Sequence, residues 1–468
     1  MKLDISKLER AFNPQCLVVI GGRPEGQWLN IKKTYKGKLY SVQVNPETAR
    51  AIEAIGIENF SSLLDIPESI DLVIVAAPKS AALEIIDDCI RKEVAAVHFF
   101  TAGFSEINTE EGIELERQLS EKARRANLHL VGPNCMGIFN PKVGVGGPGR
   151  MEHTGIIGSV GLISQSGMLN AAISREAQNQ GADINISVSF GNGVVLDSTD
   201  YLEYFDSVPE IKVIGMYLEG VKDGQRFLSV LRRVSAHKPV VIWKGGRTED
   251  GSRAIASHTG SLAISRVVWD AAVKQNGGVK VSGTEELVDT LKALLYLSPV
   301  HGDRVGIAGG SGGQSVTSAD IFSEAGLRVP MLTQESYNEL ATFFIMAGAS
   351  YRNPIDPENN RKDIRRIMEI LDHDTNIDNL VMVYTTRRDS PDQIHNQIDV
   401  MTDLREKTLK PLMAIVPYSS PEQMQNAMDA SREFQEGKVP SFPSIERCAR
   451  ALRNAWEYYQ HKNGIADN

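Results

Sequence analysis

Short apolar runs alternate along this chain with longer stretches whose apolar residues recur every three or four positions. In the first part, LVVI (17–20), KLYSVQV (38–44), DLVIVAAP (71–78) and VAAVHFFTAG (94–103) read as strands buried on both faces. SAALEIIDDCIRK (80–92) and GIELERQLSEKARRA (112–126) carry the helical period between them. Apolar runs separated by such segments predict a parallel sheet covered by helices. LHLVGPN (128–134) closes this unit, and the glycine-rich VGVGGPGR (143–150) reads as a linker. A second unit follows, with strands expected at VGLIS (160–164), INISVSF (184–190), KVIGMYLEG (212–220) and PVVIWKGG (239–246). A third starts near His301, with RVGIAGG (304–310), NLVMVYTT (379–386) and PLMAIVP (411–417). The spacing in 442–462 suits a C-terminal docking helix. The expected class is α/β, in domains spanning 1–145, 150–298 and 299–468. GLISQSGMLNAAISREAQNQGA (161–182) and VGIAGGSGGQSVTSADIFSEAGL (305–327) share one layout of strand, small-residue turn, helix and glycine stop. Either domains two and three are similar folds, or both follow a layout common to all α/β domains.

Composition narrows the function without naming it. A chain of 468 residues with 42% hydrophobic and 23% charged residues can build several cores. The net charge of -9 argues against general nucleic-acid or membrane-surface binding. The first residues lack the apolar core of a signal peptide, and no apolar run approaches the ~18 residues of a membrane span. Cys16, Cys89, Cys135 and Cys448 are scattered, without CxxC, and read as reduced thiols of a cytoplasmic protein. His98, His129, His153, His237, His301, His373, His395 and His461 show no metal-ligand spacing and read as structural or surface residues.

Four elements could carry chemistry. Gly21, Gly22 and Gly26 sit just after a buried strand, where glycine lets a backbone approach a phosphate. GGRPEG is not the dinucleotide fingerprint, so a plain tight turn and a nucleotide site both fit. Gly132-Pro133-Asn134-Cys135 follows another strand; its amides and the Asn134 side chain could hold a ligand, while a lone cysteine is more often a small buried hydrophobe. Ser164-Gln165-Ser166-Gly167 opens a helix, and reads both as an anion cradle and as a helix cap. Ser257-His258-Thr259-Gly260-Ser261 surrounds a histidine with small and hydroxylic neighbours, in a loop starting at Lys244. Neutral imidazole is a good nucleophile near pH 7, and attack on phosphorus gives a phosphoramidate of high transfer potential. Such a ring needs a carboxylate on its other nitrogen, and Glu219 stands at a strand end, where sites gather. On spacing alone a capping or loop histidine fits as well.

The run KGGRTEDGSRAIASHTGSLA (244–263) resembles the phosphohistidine segment of NDP-forming acyl-CoA synthetases, relatives of succinyl-CoA synthetase. VGPNCMGIFNP (131–141), GLISQSG (161–167), SFGNGVVLDSTDYLEYF (189–205) and YLEG (217–220) resemble the same family, in order, over nearly the whole chain. The resemblance implies a Rossmann-like CoA-binding domain followed by two flavodoxin-like ligase domains. It makes His258 the phosphorylated residue and Glu219 the carboxylate that steadies it. Ser164, Gln165, Ser166, Gly167, Ser257, Thr259 and Gly260 would hold phosphate. Coenzyme A would lie against Gly21, Gly22, Gly26, Asn45, Pro46, Ala77, Pro78, Lys79, Thr101, Ala102, Gly103, Asn134 and Cys135, with Gly191 and Asn192 near the second domain's site. No resident metal is implied in this chain. Two departures stand out. Arg23-Pro24-Glu25 replaces the small residues of the family's first glycine turn, and the ATP-grasp half of single-chain relatives has no counterpart here. Nucleotide and Mg²⁺ are therefore expected on an ATP-grasp β subunit, in a heterotetramer. A non-catalytic CoA- or acyl-CoA-binding regulator of the same fold is the alternative, and the intact SHTGSLA run speaks against it. A Rossmann dehydrogenase is a second rival; the imperfect glycine pattern and VQVNP, without an acidic residue closing the second strand, speak against that.

Overall fold

Valine, isoleucine and leucine dominate the strand positions, and nearly all are buried, as a sheet covered on both faces requires. The computed structural model describes residues 3–146, 156–259, 265–384, 391–418 and 420–464, with backbone only for 256–259, 391–396 and 422. Among these residues the strands are β1 Cys16–Ile20, β2 Lys38–Val42, β3 Glu58–Phe60, β4 Leu72–Val75, β5 Ala96–Phe99, β6 His129–Val131, β7 Gly137–Phe139, β8 Val160–Ser164, β9 Ile184–Ser189, β10 Val213–Leu218, β11 Val240–Lys244, β12 Val279–Val281, β13 Val305–Gly309, β14 Asn379–Val383, β15 Leu412–Ile415 and β16 Ser441–Phe442.

The first sheet runs β3-β2-β1-β4-β5-β6, all parallel, which is the doubly wound order with its reversal between β1 and β4. The second runs β12-β11-β10-β8-β9-β7, parallel except for the edge strand β7, which is antiparallel to β9. Both sheets belong to one compact unit, Met1–Thr284. The third sheet, β13-β14-β15-β16, is parallel and belongs to a second unit, Glu285–Asn468.

In the first unit one continuous apolar core joins Leu8, Phe12 and Leu17 to Tyr201, Tyr204, Phe205 and Met216. The helix Ile5–Phe12, capped by Asp4, brings Phe12 within 4.7 Å of the Tyr204 ring. The stretch read as a linker is docked as far as Gly146: Asn140 and Val145 form an antiparallel bridge, and Thr34 Oγ1 donates to the Gly144 carbonyl at 2.9 Å. Residues 147–150 of it lie outside the described residues. The strand β7, with the pattern of a loop after GPN, joins the second sheet because Gly137 can sit where a side chain would meet the His98 ring.

In the second unit the helix Ile445–Lys462 is capped by Ser444 and buries Cys448, Leu452, Ala455 and Tyr458 on one face. Asp289 pairs with Arg447 at 2.6 Å and with Lys292 at 3.7 Å, so its buried carboxylate is neutralised. All four cysteines are buried and unpaired. No helix among the described residues is long and apolar enough to cross a membrane.

Candidate functional site

Two strand-end edges of the first unit hold nearly all the singled-out residues. At the first, the turns following β1, β4, β5 and β6 press together. Gly21 has φ +77°, and a Cβ there would lie 2.8 Å from Ala77 Cα, so only glycine fits. Thr101 Oγ1 donates to the Ala77 carbonyl at 2.7 Å, and the Asn134 amide to the Thr101 carbonyl at 3.0 Å. Gly103 (φ +103°) packs on the Lys79 stem, 3.0 Å from a would-be Cβ. Gly22 is buried against Val19 and Leu29, and the Gly26 amide closes the turn onto the Arg23 carbonyl at 2.8 Å. No α-helix follows this turn; the chain makes a single 3-10 stretch, Leu29–Lys33. Asn45 caps the helix Pro46–Ala54 through the Glu47 and Thr48 amides. Asn45, Pro46, Pro78 and Ala102 form an exposed rim. Cys135 points inward, its Sγ 3.9 Å from the Phe99 carbonyl, and burial pushes its thiol up to about 12. It is not an activated nucleophile.

At the second edge, β8, β10 and β11 end side by side. Ser164 Oγ is turned onto its own loop, donating to the Ser166 carbonyl at 2.7 Å. Ser166 caps the helix Gly167–Asn179 by accepting from the Leu169 amide, which is the capping half of the sequence expectation. Gln165 Oε1 accepts from the Glu219 and Gly220 amides at 2.8 and 3.2 Å, tying the SQSG turn to the end of β10. Glu219 itself is buried, with Oε1 3.3 Å from the Tyr217 hydroxyl. Burial, reinforced by the Glu219 charge, raises the Tyr217 phenol well above its ordinary range, so it stays a donor.

The small and hydroxylic residues around the histidine predict a loop. Instead, after Gly245 and Gly246, residues Glu249–Thr259 form an α-helix that carries His258 in its last turn. Thr248 caps it by accepting from the Gly251 amide at 3.1 Å, and Asp250 pairs with Arg253. Ala254 and Ala256 add helix-forming residues that the small-residue pattern disguised as loop. The side chains of Ser257, His258 and Thr259 lie outside the described residues, as does Gly260 entirely.

The two edges meet. The helix Glu249–Thr259 packs on the 3-10 turn Ser105–Ile107, next to Gly103. The Asn192 amide donates to the Pro133 carbonyl at 3.1 Å, and Asn192 Nδ2 lies 2.8 Å from both Glu106 Oε2 and Glu116 Oε2. Glu106 Oε1 in turn accepts from the Gly103 amide at 2.5 Å. Glu106, Glu116 and Lys244 were not singled out from sequence. Glu116 lies in an ordinary helix-period stretch, and Glu106 in the short turn before it. Lys244 did carry a signal: a lysine ending the buried strand run PVVIWK.

Known proteins are similar to this chain in sequence and in fold. The CoA binding domain model matches residues 30–141, and the succinyl-CoA ligase like flavodoxin domain model residues 157–294. The chain is 35% identical to the ADP-forming acetate–CoA ligase II subunit alpha of Pyrococcus furiosus, over 80% of this chain and 82% of that protein. This chain belongs to the NDP-forming acyl-CoA synthetase family. The ADP-forming acetate–CoA ligase I subunit alpha of the same organism is 30% identical over 97% of this chain and 98% of its own. Among solved structures, the dinucleotide forming acetyl-coenzyme A synthetase 1 of Ca. Korarchaeum cryptofilum, in complex with phosphate and ADP, superposes with a TM-score of 0.85 at 28% identity, covering 98% of this chain and 99% of that one. Membership makes the chain an acid–thiol ligase component with a catalytic role, and a purely regulatory reading is not favoured.

Proposed function

We propose that this chain is the CoA-binding, phosphohistidine-bearing α subunit of a cytoplasmic NDP-forming acyl-CoA synthetase, working with an ATP-grasp β subunit in a heterotetramer. One observation carries the reading: the helix bearing His258 is rooted at the end of β11, beside the end of β10 that holds Glu219, and packs on the 3-10 turn Ser105–Ile107 of the CoA-binding domain.

The first edge suits coenzyme A because its glycine turns let a ligand approach the backbone without meeting side chains, and the Lys79 ammonium, 3.4 Å from Glu111, stands beside Gly103. Gly21, Gly22, Gly26, Asn45, Pro46, Ala77, Pro78, Lys79, Thr101, Ala102, Gly103 and Asn134 would hold it; Cys135 supports their turn from within. Coenzyme A supplies the thiol of the acyl thioester.

In the direction of acid release, a phosphate oxygen attacks the thioester carbonyl. The C–S bond breaks, and acyl phosphate and the CoA thiol form. A His258 nitrogen then attacks phosphorus, the P–O bond to the acyl oxygen breaks, and the carboxylic acid leaves. The phosphoryl group passes to ADP or GDP, which with Mg²⁺ would be held by the partner. Ser164, Gln165, Ser166 and Gly167 would present the helix N-terminus to the transferring anion, with Ser257, Thr259 and Gly260 beside the ring. Glu219 would accept a hydrogen bond from the N–H of the second ring nitrogen and so favour the charged ring. Every step is reversible.

The test is labelling with [γ-³²P]ATP in the presence of the β subunit. Acid-labile, base-stable label should appear on His258 and vanish in His258→Ala. An unlabelled wild-type chain overturns the relay.

A further inference from the structure

Lys244 is the last residue of β11 and is almost wholly buried, 7% exposed. Its ammonium is spent on backbone. Nζ donates to the Glu219 carbonyl at 2.7 Å and to the Gly245 carbonyl at 2.6 Å, and it lies 5.8 Å from the Trp269 ring centre. The first bond crosses from β11 to β10; the second folds back on the residue that opens the path to the helix of His258. From the other side Gln165 Oε1 takes the Glu219 amide. The Glu219 backbone is therefore held at both its N–H and its C=O.

The next residues leave little slack. The Gly245 amide donates to the Leu218 carbonyl at 2.8 Å, and a Cβ on Gly245 would meet the Tyr217 hydroxyl at 2.7 Å. Gly246 has φ +64°, and its carbonyl accepts from Ser252 Oγ, in the first turns of the helix, at 2.9 Å. Hydrogen bonds and the Gly245–Gly246 backbone thus connect the Glu219 backbone, through the Lys244 ammonium, to the base of the helix.

Burying an ammonium is costly, and a purely packing role would be filled better by leucine or methionine. Desolvation lowers the proton affinity of Lys244, while the neighbouring Glu219 charge opposes that loss. The cost is offset only if the cation does something an apolar side chain cannot.

We infer that Lys244 is a positioning residue for phosphoryl transfer: its ammonium clamps the Glu219 and Gly245 carbonyls together and so sets the distance between the Glu219 carboxylate and the helix that carries His258. This rests on the phosphohistidine reading above. Among the described residues the ammonium meets the Glu219 and Gly245 carbonyls and the Trp269 ring, and it acts through the two elements it joins.

The chain is incubated with acetyl-CoA and [³²P]phosphate, and the rate of protein labelling is followed. Lys244→Met should label roughly 10- to 100-fold more slowly, the worth of one or two hydrogen bonds from a charged donor. Its affinity for CoA, measured by calorimetry, should stay within about twofold, because the clamp lies in the other domain's edge. Lys244→Ala supplies the second arm: propylammonium added to that variant should restore labelling, whereas a lost packing contact would not respond to a cation. Labelling of Lys244→Met at the wild-type rate, or an absence of propylammonium rescue, overturns the clamp and leaves the relay standing. A wild-type chain that takes no label from either acetyl-CoA with phosphate or ATP with the β subunit overturns both.

Discussion

The turn after β8 and the turn after β13 are the same device, strand to small-residue turn to helix, built with different contents. In the first, every turn side chain is engaged. Ser164 bonds to the Ser166 carbonyl, Gln165 holds the end of β10, Ser166 caps the helix, and Gly167 is pressed on Met136. In the second, Gly309 and Gly310 take φ of +101° and +82°, Ser311 makes no side-chain cap bond, and nothing lies within 4 Å of a Cβ on Gly313. There the strand is steadied from elsewhere: Asn353 bonds the Ile307 amide at 3.0 Å and the Val305 carbonyl at 2.9 Å. The first turn is tied to the end of β10 by Gln165, and the second makes no such side-chain tie through Ser311. The fold supplies the helix N-terminus in both; the side chains decide which one is locked to a neighbouring strand.

This contrast can be broken in order of expected effect. His258→Ala should remove all turnover with the β subunit and all label, while CoA binding measured by calorimetry persists. Loss of both together would make the histidine helix part of the CoA site instead. Glu219→Gln should slow phosphotransfer by roughly 10²–10⁴-fold in single-turnover assays. Rates equal to wild type would take Glu219 out of the mechanism.

The stability arms are smaller. Gln165→Ala strands two amides at the end of β10 and should lower unfolding free energy by about 1–3 kcal/mol in urea titrations. A neutral outcome would mean that the turn and β10 are held together otherwise. The glycine pair should differ in sign. Gly167→Ala drives a Cβ to within 2.5 Å of Met136 Cγ, at a cost of about 1–3 kcal/mol, whereas Gly313→Ala places a methyl in open space on a helix and should stabilise by about 0.5–1 kcal/mol. Equal shifts in midpoint for the two variants would erase the contrast. Last, Ser166→Ala should cost about 0.5–1 kcal/mol, at the low end for a cap because its bond is 3.4 Å long, and Ser311→Ala should be nearly neutral.

Much of the fold was legible as period. The strands at 17–20, 160–164 and 184–190 were placed within a residue or two, because buried parallel strands leave unbroken apolar runs. The edge strands β3, β7, β12 and β16 were not legible, being short and partly polar or hidden after turns. The histidine segment was misread locally: serines, glycines and threonine dominate its surroundings, yet the Thr248 cap and the alanines carry the helix through to Thr259. Glu219 was legible because a carboxylate ends an otherwise apolar strand. Its setting was not, since Gln165 and Lys244 reach it from two other strands.

By itself the sequence determined the α/β class, the positions of the long buried strands, and the residue types gathered at their carboxyl ends. These follow from periodicity and burial, which act within a few neighbouring residues. Only the tertiary structure decided that Lys244 joins β10 to the root of the histidine helix, and that Asn192 joins Glu106 to Glu116. Such contacts depend on which strand lies beside which, and strand order is set by packing of the whole sheet rather than by any local pattern.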